Sequence, residues 1–224
     1  MTSTKRVVVV GASGMVGGYA LQYLLDDPAV GEVTSIGRRN LGISDPKLTE
    51  ILHPDFADCS ALADVVSSQD AAVFCLGVYT GTVPDEALRR ITVAYTVEFA
   101  RVLRASSPSA TFVFLSGSGA DPTGRSRVAF ARYKGEAESA LSAAGFPRVY
   151  IFRPAYIYPV QPRGSRISVI ASCGRSIPYF GCCSPIRSFV PTTWPGRWWT
   201  PPCEALKKAD RWCWRTVTSA LALA

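Results

Sequence analysis

Short apolar runs alternate, up to about residue 154, with longer stretches in which apolar residues recur every three or four positions. "RVVVVGA" (6–12) reads as a fully buried strand, because no polar side chain interrupts it. "MVGGYALQYLLDD" (15–27) places Val16, Leu21, Leu24 and Leu25 at helical spacing, and "EVTSIGRR" (32–39) returns to a strand pattern. Further strands are expected at "AAVFCLG" (71–77), "TFVFLSG" (111–117) and "RVYIFRP" (148–154), with helices around 85–105 and 128–144. Strands that are apolar on both faces and separated by helices predict an α/β fold, a doubly wound parallel (Rossmann) sheet flanked by helices.

The first strand-to-helix turn carries the chemistry. "GASGMVGG" spaces Gly11, Gly14 and Gly17 as G-x-x-G-x-x-G. Glycines there permit a tight turn, let backbone N–H groups approach a pyrophosphate, and allow the helix to pack closely on the strand. Gly11, Ala12, Ser13, Gly14, Met15, Val16 and Gly17 are therefore candidate dinucleotide-binding residues. The second strand ends in Arg38 and Arg39 with no carboxylate beside them. An acidic residue there would suit the ribose hydroxyls of NAD, whereas cations suit the additional phosphate of NADP. NADP is the expected cofactor, with NAD as the alternative. Asp58, after a presumed third strand that precedes "AAVFCLG", is a candidate for the adenine amino group or simply a turn residue, and Leu76 and Gly77 close "AAVFCLG", the fourth strand on this count, over the cofactor.

These residues resemble the short-chain dehydrogenase/reductase superfamily, in its extended or atypical, epimerase-like branch. The resemblance covers roughly residues 5–160 and rests on GASGMVG, CLG (75–77), LSGSGAD (115–121), KGEAE (134–138) and RPAYIYP (153–159). It implies an oxidoreductase or epimerase-like chemistry. In that superfamily a tyrosine moves the proton, a lysine four residues on lowers its pKa and holds the nicotinamide ribose, and a serine or threonine after the fifth strand binds the substrate oxygen. Lys134 matches the lysine, but Phe130 stands at the tyrosine position and Gly117 where a second serine is common. Ser116 or Ser118 is left to bind substrate. Tyr133 is the nearest phenol, but it lies about 100° around the helix from Lys134.

Loss of a positioned general acid costs roughly 10² to 10⁴ in rate, about 3 to 5 kcal/mol of barrier, and leaves cofactor binding intact. Two readings stand side by side. One is an NADP(H)-dependent reductase or epimerase in which Ser118, Tyr133 or water supplies the proton to a small carbonyl or sugar-like substrate. The other is a non-catalytic dinucleotide-binding redox sensor or scaffold. His53, the only histidine among the 224 residues, reads as a loop residue, and the cysteines lack zinc-ligand spacing, so no metal is expected.

Composition changes this picture only at the C-terminal end. Of the net charge of +7, residues 166–224 hold eight Lys/Arg against Glu204 and Asp210, while residues 1–165 carry 16 basic and 15 acidic side chains. Five of seven cysteines and all five tryptophans also fall after residue 165. Residues 1–162 are therefore expected to form the dinucleotide-binding domain, and 163–224 an atypical, poorly folded tail. That tail reads as translation one base out of frame. Tryptophan has one codon, so taking the last base of each codon with the next two turns Trp194-Pro195 into Ala, Trp198-Trp199 into Val and Trp199-Thr200 into Asp. With permitted codons elsewhere, residues 189–206 spell R-S-D-D-L-A-R-A-V-V-D-A-A-L-R-G-T, an N-capped amphipathic helix. The apparent basicity is then no argument for nucleic acid, and no nucleic-acid partner is expected. No apolar run of about 18 residues or more predicts a membrane span. The N-terminus enters its first strand without a signal-peptide pattern, which predicts a cytoplasmic protein, monomeric or homodimeric.

Overall fold

Valines 7 to 10 are all completely buried, because the strand that carries them lies inside the sheet with helices on both faces. The computed structural model describes residues 4–154 except Tyr79, so the expectations for residues 163–224 fall outside the described residues. In chain order the strands are β1 (Lys5–Val10), β2 (Val30–Gly37), β3 (Leu48–Leu52), β4 (Ala71–Phe74), β5 (Thr111–Leu115) and β6 (Arg148–Phe152). The helices are α1 (Met15–Asp26), α2 (Asp85–Arg89), α3 (Tyr95–Ser106) and α4 (Ala129–Ala143). A π-helical turn, Arg90–Ala94, joins α2 to α3, and a short 3₁₀ turn spans Ser60–Leu62.

The sheet order is β3-β2-β1-β4-β5-β6 and every pairing is parallel. Strand order therefore reverses between β1 and β4, and the loops leaving these two strands open a crevice at the carboxyl edge where doubly wound sheets bind ligands. Alternate residues feed two cores. Val8, Val10, Phe74, Phe112 and Phe114 pack with Phe99 and Leu103 of α3 and Leu141 of α4. Val7, Val9, Val33, Val73 and Val113 pack with Leu21 and Leu24 of α1 on the opposite face. The C-terminus of α1 is closed by Lys47, whose Nζ donates to the carbonyls of Leu25 and Asp27 at 2.9 Å each.

The apolar runs overshoot the strands at this same edge. β4 ends at Phe74, β5 at Leu115 and β6 at Phe152, so CLG, SG and RP, which the hydrophobic pattern joins to the strands, leave the ladder as loops. Gly11 leaves it with φ of +87°, a conformation glycine adopts at little cost.

Candidate functional site

The glycine turn is built by backbone proximity. A Cβ on Gly11 would stand 2.9 Å from the backbone of Cys75 and Leu76. One on Gly17 would stand 2.2 Å from the Gly11 carbonyl oxygen, so α1 rests directly on the turn. Gly14 is the N-cap of α1, and its N–H donates to Gly11 O at 3.0 Å. The first turn of α1 holds no acidic residue and no side-chain cap, so its leading amides have no internal acceptor and suit an anion. Ala12 is buried, Ser13 is exposed, and Met15 and Val16 are half-buried at the opening of the helix.

Arg38 and Arg39 are both exposed just past β2. Arg39 lines a cavity of about 620 Å³ with Ala12, Ser13, Leu41 and Ile43, beside the glycine turn. The phenol of Tyr95 on α3 is pushed up first by burial and then by Asp55, with Arg90 and, less strongly, Arg38 pulling against them. Asp58 is exposed and engaged in its own turn. Its Oδ1 accepts from Ser60 N–H at 2.9 Å; the Ser60 side chain first, and then this backbone bond, hold the carboxyl below its ordinary range. The Asp58 carbonyl oxygen lies 3.0 Å from His53 Nε2, and the His53 ring meets Phe56 edge-on at 5.1 Å. Beyond β4, Leu76 is half-buried, while Gly77 is exposed with open space where a Cβ would stand.

The carboxyl edge also receives α4. Lys134 is 5% exposed; its Nζ donates to Leu115 O at 2.7 Å and stands 4.5 Å from the centre of the Phe114 ring. Burial pulls the ammonium down to about 8, against opposing contributions from Cys75 and Glu138. One helical turn earlier, the Phe130 ring lies against Gly117: a Cβ there would be 2.7 Å from Phe130 Cζ and 2.8 Å from Cε1. The two departures from the family pattern are thus in contact, and the tip of the ring fills the space a serine side chain at 117 would need.

The other hydroxyls near this edge have partners or face solvent. Tyr133 OH donates to Asp85 Oδ2 at 2.5 Å, with its ring among Leu88 and Val93; that bond pushes the phenol up. Ser116 Oγ donates to Glu138, which is 3% exposed and is also held by Arg153. Ser118 is exposed, and its N–H donates to Pro154 O at 2.9 Å. Glu138, Arg153 and Asp85 carry no role in the sequence reading. Glu138 had a signal, since it lies four residues after Lys134 in KGEAE and so shares its helix face.

The sequence model of the NAD dependent epimerase/dehydratase family matches residues 7–133. The chain belongs to the NAD dependent epimerase/dehydratase family. Membership in this family agrees with the expected kinship to the extended short-chain dehydrogenases/reductases and with the observed Rossmann sheet. Protein fmp52, mitochondrial, of Aspergillus clavatus is 35% identical over 160 residues, covering 68% of this chain and 66% of its own length. Protein HTATIP2 of Rattus norvegicus is 28% identical over 155 residues, covering 68% and 63%. The chain thus spans just under two thirds of the length of these family relatives. Among solved structures, UDP-glucuronic acid 4-epimerase from Bacillus cereus in complex with NAD superposes with a TM-score of 0.57 at 15% identity, covering 68% of this chain and 57% of that one. The Bordetella bronchiseptica enzyme WbmH in complex with NAD+ gives 0.57 at 17% identity, with the same coverage. At such identities the likeness concerns the fold. The expected cytoplasmic location is overturned by the relatives: the fmp52 proteins of Aspergillus clavatus and Aspergillus niger are both named mitochondrial. No described helix is long and apolar enough to cross a membrane.

Proposed function

We propose that this chain is an NADP(H)-binding member of the family, located in mitochondria, whose cofactor half is built and whose proton-transfer half is not. The observation that carries this reading is the contact between Phe130 and Gly117 beside Lys134. A phenylalanine has no proton to give, and its ring occupies the place of the second hydroxyl. Gly11, Ala12, Ser13, Gly14, Met15, Val16 and Gly17 would hold the pyrophosphate at the α1 N-terminus. Arg38 and Arg39 would meet the 2′-phosphate, Leu76 and Gly77 would flank the cofactor, and Lys134 would donate to the nicotinamide ribose. When bound, the nicotinamide would supply a hydride; the described residues would bind and orient it, and among them none offers a positioned proton to a carbonyl. Among the described residues at this edge, Ser118 is the exposed hydroxyl that would serve a slow reduction.

Residues 163–224 enter the proposal as an out-of-frame segment, so that the part which would form the substrate side of the cleft is replaced. Sequencing the coding DNA across these codons tests this: a second open frame spelling the R-S-D-D-L-A-R-A-V-V-D helix supports it, and codons incompatible with that helix remove it. Calorimetric titration of the full chain with NADPH and NADH tests the cofactor reading. NADPH should bind about tenfold more tightly, and Arg38→Ala with Arg39→Ala should abolish the difference. Equal affinities in the unsubstituted chain would overturn the NADP preference. Steady NADPH turnover with a panel of small carbonyls, at rates ordinary for enzymes, would overturn the claim that proton transfer is missing.

A further inference from the structure

Two ionisable side chains on α4, Lys134 and Glu138, lie one turn apart on the same face and are almost completely buried. They grip consecutive residues of the chain leaving β5: Lys134 Nζ donates to Leu115 O at 2.7 Å, and Glu138 accepts from Ser116 Oγ. Glu138 is held from a third direction by Arg153, through Nε at 2.9 Å and through Nη2. Arg153 follows directly on β6, and Ser116 N–H donates to Phe152 O at 2.8 Å. One buried carboxylate therefore ties the ends of β5 and β6 to the helix that carries the cofactor lysine. A carboxylate so deeply buried is costly unless its oxygens are bonded, and here both are.

We propose that Glu138, clamped by Ser116 and Arg153, is a positioning residue that fixes Lys134 at the end of β5 and keeps its ammonium charged for the dinucleotide. This rests on the dinucleotide reading above. The groups facing Lys134 are Cys75 from the end of β4, Phe114 and Leu115 from β5, and Glu138 on α4, with Arg153 from the end of β6 beyond it. The Cys75 thiol is pushed up to about 12 by burial and so is uncharged near neutrality. The phenyl face and the Leu115 carbonyl favour a cation, but they do not neutralise it. With the Cys75 thiol uncharged, the Glu138 carboxylate opposes the burial of Lys134, and Arg153 is ion-paired with that carboxylate.

That arrangement gives substitutions on the two sides of the clamp opposite effects, which a merely structural role would not. The experiment measures NADPH affinity of the full chain from pH 6 to 9.5. Unsubstituted protein should lose affinity several-fold as pH rises through about 8. Glu138→Gln should move that midpoint down by about one unit, and Arg153→Met should move it up. Lys134→Met should remove the step. Midpoints in Glu138→Gln and Arg153→Met that match the unsubstituted protein, or move in the same direction, overturn the proposal. If Glu138→Gln fails to fold, the half-exposed Arg153→Met variant decides, and an unmoved midpoint there is a refutation. A ligand-free readout separates this idea from the dinucleotide reading: the pH dependence of unfolding free energy relative to Lys134→Met shows the same midpoints. If NADPH binds at no pH while these midpoints still move in opposite directions, the cofactor reading and the part of the proposal concerning the dinucleotide fail. The Glu138–Lys134 coupling then stands.

Discussion

Gly135, in the middle of α4, is a position where local propensity and packing predict opposite signs. An interior helical glycine costs about 1 kcal/mol relative to alanine, so propensity alone makes Gly135→Ala stabilising. A Cβ there would stand 2.0 Å from Asp121 O, 2.1 Å from the Asp121 carbonyl carbon and 2.5 Å from Pro122 N. Comfortable contact needs about 3.5 Å, so helix and loop must separate by more than an ångström, and all three obstructing atoms are backbone. The loop resists. Asp121 N–H donates to Ala131 O at 2.8 Å, and the Asp121 carboxylate accepts from the backbone of Thr123 at 2.9 Å and Ser126 at 2.7 Å. Overpacking of this kind costs about 1 to 3 kcal/mol, and loss of the Asp121–Ala131 bond about 1 kcal/mol more. After the helical gain, the variant should be less stable by about 1 to 3 kcal/mol. For a domain of this size that lowers Tm by roughly 3 to 10 °C. Thermal unfolding followed by far-ultraviolet circular dichroism reads it directly. A Gly135→Ala protein melting at or above the unsubstituted chain would refute the reasoning.

Other consequences can be measured in the same way. Because burial takes Lys134 down to about 8 from 10.5, the folded chain releases its proton first; stability should rise as pH climbs from 8 to 10.5, by up to about 3 kcal/mol. Lys134→Met should flatten that rise in urea unfolding, and an unchanged slope would count against it. Tyr133→Phe breaks the bond to Asp85 and should cost about 1 kcal/mol in chemical denaturation, with no loss meaning that the bond contributes nothing. Lys47→Met uncaps the last turn of α1, at a cost of about 1 kcal/mol; Tm should fall by a few degrees, and amide exchange at Leu24 and Leu25 should quicken.

The order of strands and helices, the parallel sheet and the glycine turn were legible in the sequence because they rest on local periodicity and on small residues at fixed offsets. Those signals survive without knowledge of neighbours. Strand ends were not legible, since CLG continues the apolar run of the strand it follows, and only pairing decides where a ladder stops. β3 was only presumed, with no bounds: "LTEIL" at the sheet edge has no buried residue and mixes polar with apolar side chains. The departures at Phe130 and Gly117 were visible one by one. That they touch, and that one fills the space the other leaves, follows from the packing of α4 on the loop after β5. Tertiary structure likewise directed Tyr133 to Asp85, gave Ser116 to Glu138, and brought Arg153 from β6 back to α4. Sequence spacing fixes which residues share a helix face, but partners 15 to 48 residues apart meet only through the sheet that both ends join. By itself the sequence determined the fold and the cofactor class; which polar groups at the carboxyl edge of the sheet remain free was decided by long-range contacts, because a buried hydroxyl or carboxylate goes to whichever partner the packing brings within reach.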